Sequence, residues 1–157
     1  KSLNKNSIGI EISNPGHEYN YINFSKKQIL SVLYLSKSLI KKYKIQSSKV
    51  LGHSDVAPFR KKDPGEKFPW EYLAKFGIAK WHSLSKKILK ENRLKIINTN
   101  EEKNFFKNLF KIGYSKKLLN KKILVSAFQR RFRQELINGK IDQECLLISQ
   151  NLAKKLS

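Results

Sequence analysis

The chain has 157 residues, room for one average domain or two small ones, and 39% of them are apolar. The apolar residues are clustered and periodic, which excludes a disordered chain. No run of about 18 of them occurs, which excludes a membrane-spanning helix of ordinary composition. The formal net charge of +21 fits a polyanionic partner such as nucleic acid, an anionic membrane surface or acidic cell-wall polymer. Only five of the 33 basic residues are Arg (Arg60, Arg93, Arg130, Arg131, Arg133), however, and readers of phosphate and bases lean on Arg forks. Solvated Lys-rich faces are therefore the preferred reading, and no nucleic-acid partner is expected. Cys145 is the single cysteine, placed at helical spacing among Ile141, Ile148 and Leu152, which points to a buried apolar role.

Residues 7–13 alternate Ile8, Ile10 and Ile12 with Gly9, Glu11 and Ser13, the period-two pattern of a strand with Glu11 opposite the isoleucines. Asn14-Pro15-Gly16 ends it with turn residues. Ser25 and Gln28 have capping-box spacing and open a helix expected to run to about Tyr43. Lys49 to Gly52 reads as a short buried strand that delivers His53 to a loop rich in proline. A short helix is expected from Trp70 to Phe76, and residues 83–100 read as a helical or partly ordered linker. Beyond it, three helices are expected over 101–111, about 120–133 and 142–155, with Asn138-Gly139 as a turn and Asp142 as an N-cap.

Three titratable groups stand out as possible chemistry: Glu11, His53 and Asp63, with Lys61 two positions before Asp63. An imidazole and a carboxylate are suitable zinc ligands, and a second carboxylate and a cation suit proton transfer and oxyanion stabilisation. Each residue alone is more commonly structural or solvated, and the spacing of His53 and Asp63 is not in itself a metal motif. The strings SIGIEISNPG and LGHSDVAPFRKKDPGEKFPW, followed by Leu73, Gly77-Ile78 and Trp81, change that balance. In this order they resemble the AmpD/AmiD family of N-acetylmuramoyl-L-alanine amidases, the type 2 amidases, over about residues 3–82. Ile112-Gly113-Tyr114, Ala127 to Arg133 and Asn138 to Asp142 resemble the three-helix peptidoglycan-binding-like domain that follows the amidase domain in the AmiD type.

The resemblance implies Zn2+ as cofactor, with His53 and Asp63 as two of its three protein ligands. It implies Glu11 as the general base on the attacking water, Lys61 as the group that holds the carbonyl oxygen, and Asp55 as a residue that fixes the ligand-bearing loop. It implies hydrolysis of the amide between N-acetylmuramic acid and L-alanine, in peptidoglycan or muropeptides. The fold it implies is α/β, a mixed sheet with packed helices over residues 1–82, then a linker over 83–100 and a three-helix domain over 101–157. The family's first zinc ligand is a His upstream of the glutamate strand, and neither His17 nor His82 matches that position. The chain is therefore expected to be N-terminally truncated, incomplete in its sheet and open at a sheet edge. The alternative to an active enzyme is an inactive peptidoglycan-binding protein. A periplasmic, cell-envelope location is slightly favoured over the cytoplasm, and the sequence sets no oligomeric state.

Overall fold

The computed structural model describes residues 5–116 and 120–155. The start of the chain, on which the expected truncation bears, lies outside the described residues. Ser25 accepts a hydrogen bond from the Gln28 N–H while the Gln28 side chain accepts from the Ser25 N–H, and this reciprocal cap starts α1 (Lys26–Tyr43). α1 buries Ile29, Val32 and Leu33 on one face. It ends at Lys44, whose left-handed backbone returns its N–H to the Ile40 carbonyl. A 3-10 turn at Ser47–Lys49 follows, then the single-turn α2 (His53–Val56) and the short α3 (Trp70–Lys75). The C-terminal half carries α4 (Lys86–Asn92), α5 (Thr99–Ile112), α6 (Lys121–Phe132) and α7 (Gln143–Lys154). Asn98 caps α5 through the Glu101 N–H, and Asp142 caps α7 through the Cys145 N–H at 3.0 Å.

The α/β architecture with a mixed sheet is not found: no strand forms among the described residues. A strand is stabilised by its ladder partner, and no described segment forms a β-ladder with residues 7–13. Ile8 and Ile10 remain 50% and 38% exposed, and only Ile12 of the alternating set packs against a core. The segment 49–52, expected as a buried strand, bonds to neighbouring turns and to side chains instead: the Lys49 and Val50 N–H groups donate to the Gln46 and Ser47 carbonyls. Arg131 Nη2 donates to the Val50 carbonyl at 3.0 Å, and Asp55 Oδ2 accepts from the Gly52 N–H at 2.8 Å. With no ladder among the described residues there is no sheet edge of the kind expected.

Two apolar clusters form among the described residues. The first gathers Ile29, Val32 and Leu33 of α1 with Phe68, Trp70, Leu73 and Ile78. The second sits among α4 to α7, where Phe105, Leu109, Ala127, Phe128, Cys145 and Ile148 are fully enclosed. Phe105 and Phe128 meet edge-to-face with ring centroids 5.2 Å apart. Residues 86–92, in the expected linker, are helical and contribute Leu89 to this second cluster. Trp81 packs against both clusters. Arg93, just after α4, forks onto Glu144 at 2.7 and 2.8 Å and reaches Glu135 at 2.8 Å. Arg133 pairs with Asp142 and lies 3.7 Å from Glu144, so the enclosed carboxylates of Glu144 and Asp142 are balanced by the guanidinium groups of Arg93 and Arg133.

Candidate active site

Gly52 ends the extended stretch, and α2 begins at His53 with the His53 carbonyl accepting from the Ala57 N–H at 2.8 Å. The chain then turns back through residues 57–63, and the Ser54 N–H donates to the Asp63 carbonyl at 2.9 Å. That backbone tie sets the two side chains face to face: His53 Nδ1 lies 2.5 Å from Asp63 Oδ2, with 65% and 56% of their side chains exposed. A pair so open to solvent adds little to folding stability. Its position on an open face suits a ligand. The loop beyond Asp63 is fastened from below by Tyr21, whose hydroxyl donates to the Pro64 carbonyl at 2.7 Å and accepts from the Lys67 N–H at 2.9 Å. Burial pushes the Tyr21 hydroxyl up to about 12, so it stays protonated and keeps donating.

Asp55, two residues after His53, is buried, with only 7% of its side chain exposed. Its Oδ1 accepts from the Tyr114 hydroxyl at 2.9 Å, and its Oδ2 accepts from Arg131 Nη1 at 2.6 Å as well as from the Gly52 N–H. The Arg131 guanidinium also lies 3.7 Å from the centroid of the Trp70 ring. Burial next to Asp55 raises the Tyr114 hydroxyl well above its ordinary value. Neither Tyr114 nor Arg131 stood out as a site residue in the sequence. Both lie there in strings that resemble the three-helix domain, outside the stretch that resembles the amidase domain.

Of the five expected site residues, the structure brings His53 and Asp63 together, while the Asp55 side chain bonds to Gly52, Tyr114 and Arg131 instead. Glu11 and Lys61 are both exposed, and neither side chain bonds to His53 or Asp63. His17 pairs with Glu66 at 3.0 Å, and His82 lies against Trp81 with ring centroids 4.9 Å apart. As a metal site, the imidazole and carboxylate fit zinc in kind, but they are two donors where a catalytic zinc commonly has three from protein. Among the described residues no group of three or more His, Cys, Asp or Glu side chains is placed to hold a metal ion.

A family model for N-acetylmuramoyl-L-alanine amidase matches residues 1–66, a span that holds Glu11, His53, Asp55, Lys61 and Asp63. The N-acetylmuramoyl-L-alanine amidase AmiD of Escherichia coli is 32% identical over 162 aligned positions, which cover 98% of this chain and 59% of AmiD. The chain is thus similar to the N-acetylmuramoyl-L-alanine amidases. A second relative is the 1,6-anhydro-N-acetylmuramyl-L-alanine amidase AmpD of Haemophilus influenzae, 36% identical over 47% of this chain and 39% of its own length. Among solved structures, Escherichia coli AmiD in complex with anhydro-N-acetylmuramic acid-L-Ala-D-gamma-Glu-L-Lys superposes with a TM-score of 0.74 at 30% identity, covering 87% of this chain and 55% of AmiD. AmpDH3 of Pseudomonas aeruginosa superposes with a TM-score of 0.73 at 26% identity, covering 87% of this chain and 56% of that one. The chain thus spans a little over half the length of AmiD and AmpDH3.

Proposed function

We propose that the chain is the part of a peptidoglycan amidase that carries two zinc ligands, His53 and Asp63, and that the whole enzyme hydrolyses the amide between N-acetylmuramic acid and L-alanine. The observation that carries this reading is the 2.5 Å approach of His53 Nδ1 to Asp63 Oδ2, on an open face, inside the segment that matches the amidase family. Zinc, when bound there, would supply Lewis-acid polarisation of the amide carbonyl and make water a better nucleophile at neutral pH. His53 and Asp63 would hold it in place. Glu11 would accept the proton of the attacking water and return it to the departing amine, and Lys61 would steady the negative charge growing on the carbonyl oxygen. Both are flexible side chains on exposed segments, and in this proposal they come to the pair only with the substrate. AmiD and AmpDH3 were both solved with anhydromuramyl peptides, which makes a muropeptide the first substrate to try.

The test is zinc stoichiometry and affinity by chelator competition on wild type, His53→Ala and Asp63→Asn, followed by muropeptide cleavage. About one zinc per chain, lost in both variants, is the expected result. Equal zinc content in all three proteins would rule out the pair as its ligands. A second reading, a non-catalytic wall-binding protein, draws on the two-donor site and on the +21 charge facing the carboxylates of peptidoglycan. It expects salt-sensitive binding to sacculi that Glu11→Ala leaves unchanged, with no cleavage by either protein.

A further inference from the structure

We infer that Arg131 and Tyr114, which belong to the C-terminal half of the chain, are positioning residues for the His53–Asp63 pair. The inference rests on the amidase reading for what the pair does, and on geometry alone for what holds it. A helix of one turn cannot hold itself in shape, because nucleation fixes several dihedrals for a single hydrogen bond. α2 is such a helix, and His53 is its first residue. Its entry is fixed by the Gly52 N–H bound to Asp55, so whatever fixes Asp55 fixes the direction in which His53 leaves the backbone.

Asp55 is held from both sides. Tyr114, after α5, donates to one carboxylate oxygen, and Arg131, in α6, donates to the other. Arg131 does more than neutralise a charge. One nitrogen of its fork takes Asp55 and another takes the Val50 carbonyl, so a single rigid plane spans the turn from three residues before His53 to two residues after it. Trp70 covers the face of that plane, and Gly52 has no room for a side chain: a Cβ there would meet Pro64 Cδ at 2.6 Å and Trp70 Cζ2 at 3.3 Å. The Arg131 and Asp55 side chains are 3% and 7% exposed. Removing one would leave the other charged, buried and unpaired, and the turn would move to let water reach it. Lysine cannot replace the fork, since it offers one point charge where two directions are needed.

The experiment compares wild type with Tyr114→Phe and Arg131→Lys, and uses Lys121→Ala, which breaks an exposed ion pair with Glu102, as the control. Near-UV circular dichroism establishes that each variant keeps its packing. The first readout is the set of His53 imidazole nitrogen shifts in metal-free protein, which report the Nδ1 contact with Asp63. The second is zinc affinity by chelator competition. Folded Tyr114→Phe and Arg131→Lys proteins with displaced or broadened His53 signals are the expected result. An affinity lower by about tenfold goes with it, the low end for groups that orient a metal ligand. Lys121→Ala should match wild type in both readouts. Wild-type His53 signals in folded variants would overturn the inference. Should Arg131→Lys fail to fold, Tyr114→Phe decides alone, since it removes one hydroxyl and keeps the ring. Should wild type bind no zinc while the His53 signals still respond, the positioning role stands and the zinc reading falls.

Discussion

Gly65 holds the loop behind Asp63 at a φ of +82°, where side chains are rare, and a Cβ there would meet Tyr21 Oη at 2.5 Å and His17 Cε1 at 2.9 Å. Gly65→Ala is expected to cost roughly 1–3 kcal/mol of stability through the combined backbone and contact strain, read by urea denaturation. The same variant should loosen the Tyr21 anchor and weaken zinc binding if the pair is the metal site. Tyr21→Phe is the gentler probe. It removes the hydrogen bonds to Pro64 and Lys67 while keeping the ring, and should cost on the order of 1–2 kcal/mol by the same measurement. His53, Asp63 and Asp55 were nominated in the sequence by a string that resembles a family, in which they stand close together. Tyr21, Tyr114 and Arg131 were not. Their partners lie 43, 59 and 76 residues away, and no local pattern encodes a contact of that length.

Helices and strands differ in how much of their stability is written locally. α1, α5 and α7 carry their own caps within three residues, and the sequence placed α1 from Ser25-Gln28 and α7 from Asp142 on that basis. The strand expected at 7–13 has a correct alternation and no ladder partner among the described residues, and an alternating pattern without a ladder remains irregular chain. The turn between α6 and α7 shows how a buried polar residue can fix the relation of two helices. Gln129 is fully enclosed; its Oε1 accepts from the Asn138 and Gly139 N–H groups at 3.0 and 2.9 Å, and its Nε2 donates to the Lys140 carbonyl at 2.8 Å. Gln129→Leu keeps a similar volume and strands those backbone groups. It is expected to lower stability by about 3 kcal/mol, checked by the midpoint of urea unfolding followed by far-UV circular dichroism. A substitution that only trimmed apolar volume would not change the protection of the Asn138 and Gly139 amides against hydrogen exchange. Gln129→Leu should.

Across the whole molecule, the first apolar cluster meets the second around Trp81, and the segment that follows is tied down by Lys155 Nζ to the Trp81 carbonyl at 3.2 Å and by the Ser83 N–H to Asn151 at 3.0 Å. His82 sits in this junction, and its buried Nδ1 has no hydrogen-bond partner. Burial lowers its pKa from the ordinary 6.5 to about 4; Glu71 works against that shift and Lys155 adds to it. The sign follows from proton counting. Between pH 6.5 and about 4 the unfolded chain binds a proton at His82 that the folded chain refuses, so this residue makes stability fall as pH falls through that window. Below it both states are protonated and the loss is complete. Allowing for partial exposure, the loss attributable to His82 is on the order of 2 kcal/mol. His82→Phe keeps a ring against Trp81 and removes the titration. Urea denaturation of wild type and His82→Phe at pH 7 and pH 4.5 should therefore show the wild type losing more stability than the variant, whatever the variant's absolute value. Equal losses in both would remove His82 as a source of the acid sensitivity.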